Sequence, residues 1–359
     1  MADSKQAPLD AEAAARAAFA SVQDQPFPDD IFTAPELRWA VIGCGVIANQ
    51  MVQSLALAGR KLAGVANRTL TKAQAFADQY GIEKVYDTVE DLYADPNIDA
   101  VYITTPHNTH ITYLRAALAA GKHVLCEKAI TLNSAELDEA RAIAAEHNVV
   151  LMDATTVLHM PLYQELRRRM DVGEFGRMNL AQLNFGSYKE YGDLTNRFYN
   201  RNLAGGAMLD IGVYALSVMR LFMASQPNEI VSLGNTCETG VDVAGGIVCR
   251  NAEQQLGVVS LTLHSKQPKR SVISFDKCYI EVNEYPRADH ATIVWTADGH
   301  REEVHAGTEA YALCYEMADL EKAVAGDDSK RELLDYASDV MELMTKLRAD
   351  WGVVYPEEE

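Results

Sequence analysis

The sequence predicts an α/β protein of two domains, a doubly wound parallel sheet followed by an α+β domain on a mainly antiparallel sheet. Three observations predict it. The length, 359 residues, exceeds what one hydrophobic core usually supports. From Leu37 to about residue 155, short apolar runs alternate with helical stretches, the pattern of strands buried on both faces. Beyond that point, longer strand-like segments follow one another through short turns, as antiparallel neighbours do.

Residues 1–35 form an N-terminal arm: the Ala-rich stretch Ala11 to Val22 suits one helix, and Pro26, Pro28 and Pro35 prevent its continuation. The arm is expected on the protein surface or against a neighbouring subunit. The domain at 36–155 opens with a strand from Leu37 to Ile42, the turn Gly43-Cys44-Gly45 and a helix from Val46 to Ala58. Strands at Leu62–Ala66, near Val85, at Ala100–Thr104, His123–Cys126 and Val149–Met152 then alternate with helices at Leu70–Tyr80, Val89–Tyr93, Thr109–Ala120 and Ser134–His147. The domain at 156–359 begins with a helix at Leu162–Met170. Strands follow at Met178–Phe185, Glu229–Leu233, Gly246–Cys249, Gln255–Leu263, Ser271–Phe275, Cys278–Val282 and Thr292–Trp295. One helix, Ala207–Met223, interrupts them, and helices at Tyr311–Val324 and Lys330–Leu347 close the chain, free to pack back on the first domain.

With 32 Lys and Arg against 51 Asp and Glu, the formal charge of −19 argues against nucleic acid, since phosphate contacts need local positive charge. No run of about 18 apolar residues suggests a membrane span. The opening segment carries Asp3 and lacks the apolar stretch of a secretory signal, so the expected address is cytoplasmic. The six cysteines form no CxxC pair and are expected to be reduced.

Gly43-x-Gly45-x-x-Ala48 follows a strand and opens a helix, which is the Rossmann dinucleotide fingerprint in its proper context. The first glycine permits the tight turn, the second lets backbone approach a pyrophosphate, and Val46 and Ile47 begin the helix whose N–H groups face it. The second strand ends Ala66-Asn67-Arg68 without the carboxylate that would bind an adenosine ribose. Arg68 can pair with a 2′-phosphate, so NADP is favoured over NAD; the plainer reading of Arg68 is a solvated charge.

Two further segments carry the chemistry: Gly121-Lys122-His123-Val124-Leu125-Cys126-Glu127-Lys128-Ala129, ending a strand, and Gly205-Gly206-Ala207-Met208-Leu209-Asp210-Ile211-Gly212-Val213-Tyr214. Together with the fingerprint and Thr105-Pro106-His107-Asn108-Thr109-His110, these resemble the glucose-fructose oxidoreductase / inositol dehydrogenase (Gfo/Idh/MocA) family. The likeness runs from about Leu37 to Val353-Val354-Tyr355-Pro356. Tyr214 in place of the more usual histidine, with Asn67-Arg68, is similar to the branch of dimeric dihydrodiol dehydrogenases and NADP-linked aldose dehydrogenases. Ala129 departs from the family, which usually has proline there.

The resemblance implies an NAD(P)-dependent dehydrogenase acting on CH–OH groups, with a large open sheet in the second domain through which a homodimer or homotetramer forms. It implies that Thr105, Pro106, His107, Asn108, His110, Glu127 and Lys128 lie at the cofactor, that Tyr214 is the acid/base and that Lys128 polarises the substrate oxygen. A phenol is too weakly acidic to act unaided at neutral pH, and a neighbouring ammonium favours its ionised form. Asp210, one turn before Tyr214, falls on the same helix face and either orients substrate or caps the helix. Asn196 and Arg197, in a polar-aromatic stretch suited to sugar hydroxyls, and His159 are the substrate candidates. His107 and His110 stand three apart with no third ligand placed by spacing, so no metal is expected. The expected substrate is a sugar, polyol or cyclic diol. The alternatives are oxidation of a glycoside hydroxyl before sugar elimination, and a non-catalytic dinucleotide-binding regulator.

Overall fold

The computed structural model describes residues 17–22 and 25–359, which fall into two compact units. Of the arm helix expected from Ala11, only 17–22 lie within the described residues, and they are helical.

The nucleotide unit combines residues 17–22 and 25–154 with residues 310–335. Its six strands are β1 (Trp39–Ile42), β2 (Gly64–Ala66), β3 (Lys84–Tyr86), β4 (Ala100–Ile103), β5 (His123–Cys126) and β6 (Leu151–Asp153). They lie in the order β3-β2-β1-β4-β5-β6 with every pair parallel. All side chains of β1 and β4 are buried, as a sheet covered on both faces requires. The order reverses between β1 and β4, the place where such sheets open a crevice for a ligand.

A helix at Ala312–Val324 belongs to this unit and sets Leu313, Met317, Leu320 and Ala323 into its core. Its buried Glu321 accepts hydrogen bonds from the Leu37 amide (3.2 Å) and Trp39 Nε1 (3.1 Å) and pairs with Arg60 (2.8 Å), pinning the entry to β1. The later part of the arm is no loose appendage. Ile31 is buried, Phe27 meets Tyr311 edge-on at 5.0 Å, and the Arg60 guanidinium lies 3.7 Å from the Phe32 ring centre.

The second unit holds residues 155–309 and 336–359. Its sheet has eight strands: β7 (Met178–Gly186), β8 (Glu229–Thr236), β9 (Asp242–Arg250), β10 (Leu256–Thr262), β11 (Gln267–Phe275), β12 (Cys278–Asn283), β13 (His290–Trp295) and β14 (Arg301–His305). The order is β14-β13-β12-β11-β7-β10-β9-β8. All neighbours are antiparallel except β7 and β10, which run parallel; after β7 the chain leaves the sheet through the helical segment 201–222 and returns at β8 on the far edge. Strand β14 was not expected. Its Arg-Glu-Glu-Val-His sequence lacks an apolar run because it is an edge strand, where charge discourages pairing with another chain.

The helix expected at Ala207–Met223 opens instead with a π-turn, Met208–Gly212, before the α-helix α1, Val213–Phe222. The stretch Arg201–Phe222 is long and apolar enough to cross a membrane, but most of it is buried in this unit, as a core helix is. The closing helix is also divided, into Asp328–Arg331 and Leu333–Asp350.

Candidate active site

In the nucleotide unit, the turn after β1 depends on glycine. Gly43 has φ +104°, and a Cβ there would lie 2.7 Å from Thr104 Oγ1, whose hydroxyl is tied to the Ile42 carbonyl at 3.1 Å. Gly45 caps the helix Val46–Leu57, and a Cβ on it would meet nothing within 4 Å. Gly45 and Val46 are exposed and Ile47 is half-buried, so this helix start presents free backbone N–H groups to open space. These features fit a dinucleotide pyrophosphate. Beside them, burial pushes the Cys44 thiol up to about 11, leaving it protonated and unreactive at neutral pH.

At the end of β2, Asn67 bonds the Thr69 carbonyl through Nδ2 (3.0 Å), and Arg68 is exposed. Lys72, absent from the sequence reading, lies near enough to lower the Cys44 thiol's pKa against the burial effect. A helical lysine six residues past a strand carries no signal of its own.

The segment Thr105-Pro106-His107-Asn108 turns tightly after β4. Thr109 Oγ1 donates to Pro106 O at 2.7 Å. His110, expected at the cofactor, lies between two loops of the nucleotide unit. Its ring is wholly buried, with Nε2 2.8 Å from Thr105 O and Nδ1 3.0 Å from Ala129 O. It joins the loop after β4 to the loop after β5. Burial depresses its pKa, and a neutral imidazole donates to one of those carbonyls at a time.

Glu127 is buried at the end of β5, its carboxylate bonded to the Tyr102 hydroxyl, which also lies 3.3 Å from Glu316. Lys128 follows it, half-buried, and the Lys128–Ala129 peptide is cis. Ala129 thus occupies the departure from the family pattern with its side chain fully buried and its carbonyl facing His110.

In the second unit, the π-turn and α1 carry Asp210 and Tyr214. Asp210 is nearly buried and lies 3.4 Å from Arg197 Nη2, so the π-turn meets the polar-aromatic loop that precedes it. Arg197 is otherwise exposed and stacks over Phe198, its guanidinium carbon 4.2 Å from the ring centre. Tyr214 is half-buried beside Phe185, with ring centres 6.1 Å apart. Asn196 is half-buried, its Oδ1 accepting from the Phe198 amide two residues on at 3.3 Å. His159 is buried, and its backbone carbonyl receives the Gln164 amide at 3.1 Å. Among the described residues no group of three His, Cys, Asp or Glu is arranged to hold a metal.

Sequence reading passed over Asp242. It is fully buried at the start of β9, and Oδ2 accepts the Met208 amide at 2.6 Å. Burial pushes its carboxyl up to about 6, against the Met208 hydrogen bond and the Arg348 charge. An isolated aspartate after Gly240-Val241 has no pattern that would single it out.

Residues 37–155 match the model of an oxidoreductase family with an NAD-binding Rossmann fold, and residues 163–281 match the GFO/IDH/MocA C-terminal domain. Trans-1,2-dihydrobenzene-1,2-diol dehydrogenase from Mus musculus is 33% identical over 254 residues, covering 69% of this chain and 75% of that enzyme. The Sus scrofa enzyme is 28% identical over 340 residues, 90% of this chain and 99% of its own length. Among solved structures, a 3-ketoreductase from Actinomadura kijaniata, in complex with NADP and TDP-benzene, has TM-score 0.75 at 24% identity, covering 88% of this chain and 98% of that one. A levoglucosan dehydrogenase, in complex with NADH and levoglucosan, has TM-score 0.76 at 19% identity, covering 88% and 97%. The glycine turn at the sheet's reversal point, the Glu127-Lys128 strand end and these relationships agree: the chain belongs to the Gfo/Idh/MocA family and is an NAD(P)-dependent oxidoreductase.

Proposed function

We propose that this enzyme oxidises a secondary hydroxyl of a cyclic diol, sugar or polyol, using NADP in preference to NAD. The observation that carries the substrate class is the Arg197–Asp210 pair, set one turn from Tyr214. A guanidinium and a carboxylate beside a phenol offer donors and acceptors to adjacent hydroxyls, as a vicinal diol requires. The relatives that are dihydrodiol dehydrogenases support the same class.

Gly43, Gly45, Val46, Ile47 and the Thr105–Asn108 turn would hold the dinucleotide, and Arg68, exposed where an acidic residue would exclude a 2′-phosphate, supports NADP. The cofactor, when bound, supplies the hydride acceptor. Tyr214 takes the hydroxyl proton, and the Lys128 ammonium stabilises negative charge on the oxygen and on the phenolate. Asp210 orients the substrate and holds Arg197. Glu127 fixes the strand end that presents Lys128 through its bond to Tyr102.

An exposed apolar face on the second unit's sheet supports a homodimer. Val231, Leu233, Val248 and Leu256 are all exposed, and Val231 and Val248 are direct cross-strand partners. The six free cysteines support a reducing, cytoplasmic setting.

The test is steady-state oxidation of trans-diols, aldoses and polyols with each cofactor. Turnover restricted to NAD, or absent from the whole panel while NADP binds, overturns the reading; the latter result favours a dinucleotide-binding regulator.

A further inference from the structure

The C-terminal segment Val353–Glu359 is held by arginines. Arg348, almost wholly buried, grips Glu358 through both terminal nitrogens at 2.9 and 2.8 Å. Arg201 donates to the Val354 carbonyl at 2.7 Å and pairs with Glu359. Between these anchors the buried Tyr355 hydroxyl donates to the Gly205 carbonyl at 2.6 Å.

Gly205-Gly206 is the turn that opens the π-turn and α1. Gly206 has φ +126°, and a Cβ there would strike Asp242 Oδ1 and come within 3.4 Å of the Tyr355 hydroxyl. Asp242 presents its other oxygen to the Met208 amide at 2.6 Å, satisfying a donor at the helix start that would otherwise be buried unpaired. The Ala207 amide and Asp242's own amide also act on this carboxyl. A wholly buried carboxylate is a costly way to cap a helix unless the position it enforces is used.

We propose that Tyr355 and Asp242 are positioning residues, a two-sided clamp that fixes the Gly205–Met208 turn and thereby the placing of Asp210 and Tyr214. Tyr355 holds the carbonyl of the turn's first residue, Gly205, and Asp242 holds the amide of its last, Met208. The chain end, tied down by Arg348 and Arg201, is thus part of the apparatus that orients the acid/base. This proposal rests on the roles given above to Asp210 and Tyr214.

The test compares full-length Tyr355→Phe and Asp242→Asn with the parent and with Tyr214→Phe, counting active sites by NADP binding so that unfolded chains do not enter kcat. Both substitutions nearly preserve size, and should Asp242→Asn give no soluble chain, Tyr355→Phe decides. The clamp predicts that kcat per site falls about tenfold or more while the NADP Kd stays within about twofold. It also predicts that Tyr355→Phe added to Tyr214→Phe costs little further turnover, because the two act through one group. A kcat within about twofold of the parent in Tyr355→Phe, beside an inactive Tyr214→Phe, overturns the clamp and leaves the proposed function standing. If Tyr214→Phe keeps full turnover, the acid/base assignment fails instead, and the clamp is decided by whether Tyr355→Phe slows the reaction.

Discussion

Lys128 and Tyr214 carry the sharpest consequences of the proposed chemistry. If Lys128 sets the pKa of Tyr214, then Lys128→Met and Tyr214→Phe should each lower kcat by about 10² or more, leave NADP affinity nearly unchanged and be strongly non-additive together. In Lys128→Met, the basic limb of the kcat/KM profile for alcohol oxidation should move upward, towards an unassisted phenol; a limb that stays in place removes Lys128 from the chemistry. Asp242 makes a thermodynamic prediction. Its folded carboxyl titrates near 6 against an ordinary value of 3.8. Between these pH values the unfolded chain releases the proton while the folded chain keeps it, so this group's stabilising effect, present in full below about pH 4, is lost as pH rises through 6. The loss is about 3 kcal/mol. Urea unfolding of Asp242→Asn at pH 4.5 and 7.5 should therefore show a smaller loss, or a larger gain, of stability with pH than the parent shows.

At the scale of the element, the turn after β1 makes the clearest case. Gly43→Ala would place a Cβ against Thr104 at a backbone conformation alanine rarely adopts, so NADP binding measured by calorimetry should weaken by about tenfold or more. Arg68→Ala should selectively weaken NADP and leave NAD binding unchanged; equal losses for both would place Arg68 on the adenine instead. The elements legible in the sequence are those whose burial and period agree: β1, β4 and β5 are buried along their whole length or nearly so, and the Gly43/Gly45 spacing follows directly on β1. What escaped reading is non-local. Strand β14 is charged because of its position at a sheet edge, and the π-turn at Met208–Gly212 depends on a carboxylate 34 residues away in sequence. The direction of the His110 ring, towards the Thr105 and Ala129 carbonyls, is likewise not written in its motif.

For the whole molecule, the apolar face of the second unit's sheet predicts a dimer in solution. The double variant Val231→Glu/Leu233→Glu should sediment as a monomer where the parent sediments as a dimer, and a monomeric parent refutes the assembly. Removal of the chain before Pro35 takes away Ile31, Phe27 and Phe32, uncovering Tyr311 and Arg60, so the truncated chain should unfold at a lower temperature than the parent. The return of residues 310–335 to the nucleotide unit has a consequence for biosynthesis. A nascent chain emerging from the ribosome with all six parallel strands complete still lacks Leu313, Met317 and Leu320, and Glu321, which secures the approach to β1. Until more than 150 further residues have been made, that apolar side has no cover, and the dinucleotide-binding half must wait for residues 310–335 before it can close.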